Sequence, residues 1–346
     1  MAMAEVTIYG AGIFGLSVAW SCARRGATVR VIDPYGPGAG SSGGLVGALA
    51  PHVPEQWNDK KAFQFDSLIM AQRFWDEVAR ASGHKAGYAR LGRLQPVADD
   101  AALALARQRM QGAAELWQGM AEWRVRPRGD LGPWAPESAS GWLIEDNLSA
   151  RLHPRMVCTA LVAAIRAKGG EVLQEGAAQG RVVWATGVAG LEEISAQRPR
   201  AFGNAVKGQA ALLRLDRRDC PQIFAGGALV VPHADGTVAV GSTSERDFDD
   251  PAQTDAQLDE VLARAEAAVP ALAGAEVIER WAGLRPRARS RAPVLGSHPL
   301  RADEFIANGG FKIGFGMAPK VGAVMADLVL EGRDAIPDGF RPEASY

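Results

Sequence analysis

The sequence predicts an α/β protein in two domains: a parallel βαβ domain that the chain leaves and re-enters, and an inserted α+β domain built on antiparallel sheet. Three observations predict it. The first forty residues alternate strand, helix and strand, and parallel strands need such a crossover helix. Residues 206–243 instead form short β-rich runs split by turn signals such as Ala234-Asp235-Gly236. Helix and parallel-type strand patterns return near the middle and at the end of the chain. The expected division is 1–82, 146–202 and 282–346 for the first domain, and 83–145 and 203–281 for the second.

Taken in order, Glu5 to Tyr9 is a β-rich run, Gly10 to Gly15 a turn, and 16–25 a helix ended by Gly26. Residues 28–32 form a second β-branched run closing on Asp33. A Gly/Ser/Pro-rich stretch follows over 34–47, then a helix over 59–81 whose Phe65, Leu68, Ile69, Trp75 and Val78 share one face. Strand character appears over 88–97 and a helix is expected over 101–123. Pro154 opens another helix, a residue suited to a first turn. Short strands are expected at 171–174 and 181–185, and a helix at 254–268. An extended Arg-rich stretch spans 281–296 and a last strand 305–308. A glycine-studded turn then leads to a helix over 318–331.

Composition limits the function. The chain has 346 residues, 47% hydrophobic and 22% charged, which excludes disorder as the main state. Thirty-eight basic against thirty-nine acidic residues leave a net charge of −1, unlike a protein built to coat nucleic acid or an anionic membrane. Cys22, Cys158 and Cys220 are far apart and form no CxxC, so neither a zinc site nor a disulfide framework is expected. No apolar run approaches the ~18 residues of a membrane span. The expectation is a cytoplasmic protein with reduced thiols, its oligomeric state left open. The five histidines show no metal-ligand spacing, so no metal is expected.

Gly10-Ala11-Gly12-Ile13-Phe14-Gly15 is a GxGxxG turn between a strand and a helix. The first glycine permits the tight turn, the second a close approach of backbone to pyrophosphate, and the third close helix–strand packing. The helix N-terminus offers unpaired N–H groups to the phosphates. Asp33 ends the next strand, 23 residues after Gly10, where a carboxylate accepts from a ribose 2′-OH and repels a 2′-phosphate. The turn and acid together predict a Rossmann-type dinucleotide site. Spacing does not choose between NAD and FAD.

Other segments make that choice by resemblance. Gly40-Ser41-Ser42-Gly43-Gly44-Leu45-Val46-Gly47, Arg181-Val182-Val183-Trp184-Ala185-Thr186-Gly187, Trp281-Ala282-Gly283-Leu284-Arg285-Pro286 and Gly309-Gly310-Phe311-Lys312-Ile313-Gly314 follow the GxGxxG turn in order. With Val206-Lys207-Gly208-Gln209 and Gly241-Ser242-Thr243, the chain resembles the D-amino acid oxidase and glycine oxidase superfamily of FAD-dependent amine oxidoreductases over nearly its whole length. The resemblance implies FAD held by Gly10, Gly12, Ile13, Phe14, Gly15 and Asp33, by Ser41, Ser42, Gly44 and Leu45, by Ala185, Thr186 and Gly187, and by Gly310, Phe311, Lys312, Ile313 and Gly314. It implies oxidative deamination of a small amino acid or secondary amine, with hydride passed to flavin N5 and oxygen reoxidising the flavin to give peroxide. The alternatives are a dehydrogenase or tRNA-modifying relative with another acceptor, and a non-catalytic FAD-binding subunit.

Arg285 is the residue the resemblance gives to the substrate carboxylate, and a guanidinium suits a planar, bidentate grip. Arg285, Arg287, Arg289 and Arg291 alternate, so a single basic strand face is the competing reading. Lys312 stands where relatives carry an arginine, and is the second catalytic candidate. Leu229 stands where some carry a tyrosine that helps hold the carboxylate; this points away from glycine toward a more apolar substrate. His52, just after the glycine loop, is a candidate for the substrate wall. The helix beginning near Ala318-Pro319 is expected to direct its N-terminus at the flavin. No cysteine stands where relatives attach flavin covalently, so FAD is expected to be non-covalent.

Overall fold

Strand β1 (Val6–Tyr9), helix α1 (Ile13–Ala23) and strand β2 (Val29–Ile32) open the chain in a computed structural model that describes residues 3–346. Next come β3 (Ala48–Leu49), α2 (Asp59–Ser82), β4 (Arg93–Pro96), α3 (Asp100–Leu116), β5 (Trp123–Pro127), β6 (Trp142–Asp146) and β7 (Ala150–Arg151). The middle holds α4 (Pro154–Ala167), β8 (Glu171–Leu173), β9 (Arg181–Trp184), α5 (Gly187–Ala196), β10 (Gly203–Arg214), β11 (Gln222–Ala225), β12 (Ala228–Pro232) and β13 (Thr237–Gly241). The chain ends with α6 (Ala256–Ala268), β14 (Glu276–Ala288), β15 (Val294–Ser297), β16 (Phe305–Asn308) and α7 (Gly314–Glu331).

The first sheet has the order β15-β16-β9-β1-β2-β8 and is parallel except at its β15 edge. Val6, Thr7 and Ile8 on β1 and Val31 and Ile32 on β2 are all buried, as in strands covered on both faces. Every residue of α1 is buried, which explains why it shows no polar face. It packs against both α4 and α7. Close approach to α7 depends on Gly322, where a Cβ would meet the Ser17 carbonyl oxygen at 2.6 Å.

The second sheet has the order β14-β10-β13-β12-β11-β4-β6-β5, antiparallel apart from the β11–β4 pair. α6 packs against β10, β12 and β13. Ile223, Val230, Val238 and Val240 form a core there with Val261 and Ala265. The other face of its β10–β14 end meets the first domain.

Local expectations are corrected at four places. The helix expected to reach residue 123 stops at Leu116, because Gln118 and Gly119 take left-handed backbone at φ +51° and +72°. Trp123 instead starts β5, which pairs with β6; both strands and α5 are additions to the expected elements. The stretch 281–296 is two strands in different sheets, separated by a turn with Arg291 at φ +59°. The expected boundary at 281/282 therefore falls inside β14, which pairs with β10 from Glu276 to Ala288. Arg289 and Arg291 leave the strand, so no four-arginine face forms. The last helix begins at Gly314, and Pro319 lies inside it rather than at its start. Among the described residues no helix is long and apolar enough to cross a membrane.

Candidate active site

One cavity of about 880 Å³ runs from the carboxyl ends of β1, β2 and β9 to the face of the second sheet. At its first end Gly10 has φ +102°, a conformation that favours glycine. A Cβ there would drive into the Ala185 carbonyl, and one at Gly15 into the Gly10 carbonyl. Both glycines therefore let β1, α1 and β9 meet. Gly12 differs: a Cβ would meet only Ser42 Oγ, at 3.3 Å, and the position faces the cavity.

The α1 N-terminus has no side-chain cap and no acid in its first turn. Its positive dipole end opens to the cavity, which suits a phosphate. Ser42 Oγ accepts from the Ile13 N–H at 2.9 Å and fixes the Ser41–Gly43 turn beside it. Asp33 accepts from the Ala11 N–H at 2.7 Å and the Tyr35 N–H at 3.0 Å, and lines the cavity. Ala185, Thr186 and Gly187 complete this end, and Gly187's carbonyl accepts from Asn308 Nδ2.

At the other end, Trp281, Gly283 and Arg285 alternate on one face of β14. A Cβ at Gly283 would meet Trp281 Cη2 at 2.7 Å, so the indole lies over the glycine toward Arg285. The same indole abuts Gly44 of the glycine loop. A Cβ at Gly208 on β10 would fall within the Arg285 guanidinium, which thus lies flat over that glycine.

Arg285 Nη2 donates to Ser242 Oγ at 2.8 Å and Nη1 to the Thr243 carbonyl at 3.2 Å. Behind it Glu245 accepts from Gln209 Nε2 at 3.0 Å and from the Thr243 hydroxyl, and lies 3.5 Å from Lys207 Nζ. Burial pushes the Arg285 guanidinium down to about 10, with Glu245 opposing the shift, so it keeps its charge at neutral pH. Desolvation lowers the Lys312 ammonium, and repulsion from Arg285 and Arg287 lowers it further. Beside it Phe311 has φ +43°, strained for a bulky residue. Its N–H donates to the Pro286 carbonyl at 3.1 Å, and its ring lies 5.7 Å from both the Arg287 and the Lys312 cations.

Among the described residues that line the cavity, Asp33 is the only acid and Arg285 and Lys312 the only cations. The end at Asp33 and the α1 N-terminus is thus separated from a cationic end that carries no histidine, cysteine or glutamate. Leu229 also lines the wall.

Three of the sequence candidates are not on it. Gly15 packs helix to strand. Ile313 precedes α7 behind the wall. His52 is turned to α2, where its ring and backbone N–H both meet Gln64 Oε1; burial lowers its pKa. The contacts of Gly208, Ser242, Thr243 and Glu245 around Arg285 are not legible in the sequence. Two of the quoted segments contained the first three, but only strand pairing reveals their contact with Arg285. Among the described residues no group of three or more histidine, cysteine or acidic side chains is placed to hold a metal.

The parallel sheet, the glycine turn and the open helix end define a dinucleotide-binding fold. Residues 5–328 match the family described as FAD dependent oxidoreductase, and the chain belongs to that family. It is an FAD-dependent enzyme. It is 25% identical to glycine oxidase of Bacillus subtilis (strain 168) over 359 residues, covering 94% of this chain and 93% of that protein. Its fold matches glycine oxidase of Geobacillus kaustophilus with a TM-score of 0.81, at 20% identity over 98% of each chain. It also matches iminodiacetate oxidase of Chelativorans sp. BNC1 with a TM-score of 0.82, at 23% identity over 97% of this chain and 98% of that one.

Proposed function

We propose that the protein oxidises a carboxylate-bearing amine, an α-amino acid or its N-substituted form, whose carboxylate is gripped by Arg285. The observation that carries this reading is the guanidinium itself. It is laid over Gly208, held by neutral oxygens of Ser242 and Thr243, and free to take a carboxylate from the cavity. A charge so placed is costly without a partner. The names of the relatives above support an amine or amino acid substrate.

In this reading the uncapped end of α1 with Gly12 takes the pyrophosphate of FAD, and Asp33 a ribose. Ser41, Ser42, Gly44, Leu45, Thr186, Gly310 and Gly314 line its path. FAD, when bound, supplies the two-electron acceptor for the hydride that leaves the substrate α-carbon, with dioxygen as final acceptor to give peroxide. As the hydride leaves, the nitrogen lone pair forms the C=N bond, and water hydrolyses the product to oxo acid and amine. The step needs no general base when the substrate binds with its amine neutral. Arg285 and Lys312 favour this, because two cations disfavour an ammonium nearby.

The test is turnover of an amino acid and of its decarboxylated amine by Arg285→Ala and Arg285→Lys. Loss of one partner of a buried charge pair costs ~2–5 kcal/mol, or roughly 30- to several-thousand-fold. Arg285→Ala should lose kcat/KM for the amino acid by that factor and leave the amine nearly indifferent. Arg285→Lys should recover part, since the fork is lost. Amino acid turnover within a few-fold of the parent would place the anchor elsewhere.

A further inference from the structure

The hairpin joining β11 to β12 turns on Gly226-Gly227, both left-handed at φ +59° and +73°. This two-residue turn fixes the register of the strands it joins. Phe224 therefore sits directly opposite Leu229, Leu229 opposite Gly241, Gly241 opposite Ala210, and Ala210 opposite Trp281. Residues directly opposite across an antiparallel ladder project to one face, and all five line the cavity. At ~4.8 Å between strands the row spans roughly 19 Å.

The middle of the row is flat, and Val46 covers it: a Cβ at Gly241 would meet Val46 Cγ2 at 2.8 Å. Trp281 closes one end. The guanidinium of Arg285 reaches from β14 across β10 to Ser242 and Thr243. It thus ends on the strand next to Leu229, on the side away from Trp281. Beyond it the cavity continues past Leu229 and Gly227 to Phe224, with Pro251 and Ala252 also on its wall. None of these five side chains can hydrogen-bond, and Phe224 stays 43% exposed in the cavity mouth.

We infer that the substrate is an α-amino acid with a branched-aliphatic or aromatic side chain, received by Leu229 and Phe224 while Arg285 holds its carboxylate. This rests on the preceding reading and narrows it. A glycine-sized substrate would reach the guanidinium but leave the apolar end of the row in water. A larger side chain removes that surface from water. A polar side chain would lose its own hydration there with nothing to replace it.

The test uses the FAD-loaded enzyme. Acetate, 4-methylpentanoate and phenylacetate, which share a carboxylate and lack the amine, are titrated against the visible flavin spectrum to obtain Kd. Glycine and both enantiomers of leucine and phenylalanine are then compared in kcat/KM. One methylene in an apolar pocket gives ~10–200-fold discrimination. The larger acids should therefore bind, and one enantiomer of the larger amino acids should react, at least ~100-fold better than acetate and glycine. Phe224→Asp should shrink both ratios at least ~10-fold, acting through Kd and KM, with flavin content as the control for folding. Acetate and glycine equal to the larger compounds, or ratios untouched in Phe224→Asp, would overturn this inference while leaving Arg285 as the carboxylate anchor. If no carboxylate perturbs the flavin and no amino acid is turned over, both readings fall.

Discussion

A single methyl group at position 208 should disable the substrate site without touching the cofactor site. Alanine there places its Cβ well inside 3.0 Å of three guanidinium atoms of Arg285. Ordinary carbon contacts lie at ~3.5–4.0 Å, so one side must move. β10 is held between β14 and β13, and Gly208 itself pairs with Gly283. The guanidinium is the softer element, and it must move by more than ~1 Å. Its bonds to Ser242 Oγ and the Thr243 carbonyl then break. A charge-assisted hydrogen bond contributes ~1.5–3 kcal/mol, and ~1 Å of misplacement in a positioning group costs ~100-fold. Gly208→Ala should therefore lower kcat/KM for amino acids by ~100-fold or more. Flavin content should hold, because Gly208 is not among the cavity-lining residues proposed to hold FAD. The assay pairs steady-state turnover of an amino acid and its decarboxylated amine with flavin absorbance per protein. Full amino acid turnover by a flavin-replete Gly208→Ala would show that the guanidinium over Gly208 does not anchor the carboxylate.

The remaining predictions concern cofactor and acid stability. None of the three cysteines lines the main cavity, so acid precipitation should release all yellow colour into the supernatant; colour in the pellet would refute non-covalent FAD. A Cβ at Gly12 meets only Ser42 Oγ, at 3.3 Å, and that space is proposed for the pyrophosphate, so Gly12→Val should fold yet purify without flavin, as judged by absorbance and circular dichroism. His233 is fully buried 4.5 Å from the His153 ring; burial, with repulsion from His153, holds it down at about 3. Its folded value lies below the unfolded ~6.5, so its contribution is intact above ~6.5 and is lost as pH falls toward the folded value. Stability should drop by up to roughly 1.4 kcal/mol per pH unit per such histidine, and His233→Asn should flatten the slope of denaturation midpoint against pH. An unchanged slope would assign the acid sensitivity to other groups.

The parts of this molecule legible in its sequence are those set by short-range rules. The GxGxxG turn, the strand ending at Asp33 and the proline-led helix at Pro154 each depend on a few adjacent residues, and the structure shows all three. The helix expected to run to residue 123 stops short because Gln118 and Gly119 adopt left-handed backbone, which an Ala- and Gln-rich composition does not register. His52 was drawn to the cavity by its nearness in sequence to the glycine loop, yet the loop turns it onto Gln64. The setting of Arg285 was illegible for a different reason. Gly208 and Ser242 reach it only through the pairing of β14, β10 and β13, and pairing of distant strands is specified by the whole fold.

Anaerobic mixing of the yellow, FAD-loaded protein with an amino acid, in the parent and in Arg285→Ala, tests the central claim most directly. With no acceptor present, loss of the oxidised flavin absorbance reports the reductive half-reaction alone. The parent should bleach with an α-amino acid and far more slowly with its decarboxylated amine, and Arg285→Ala should lose the difference. Flavin that stays oxidised with every amino acid, or that bleaches equally fast in Arg285→Ala, would contradict the account.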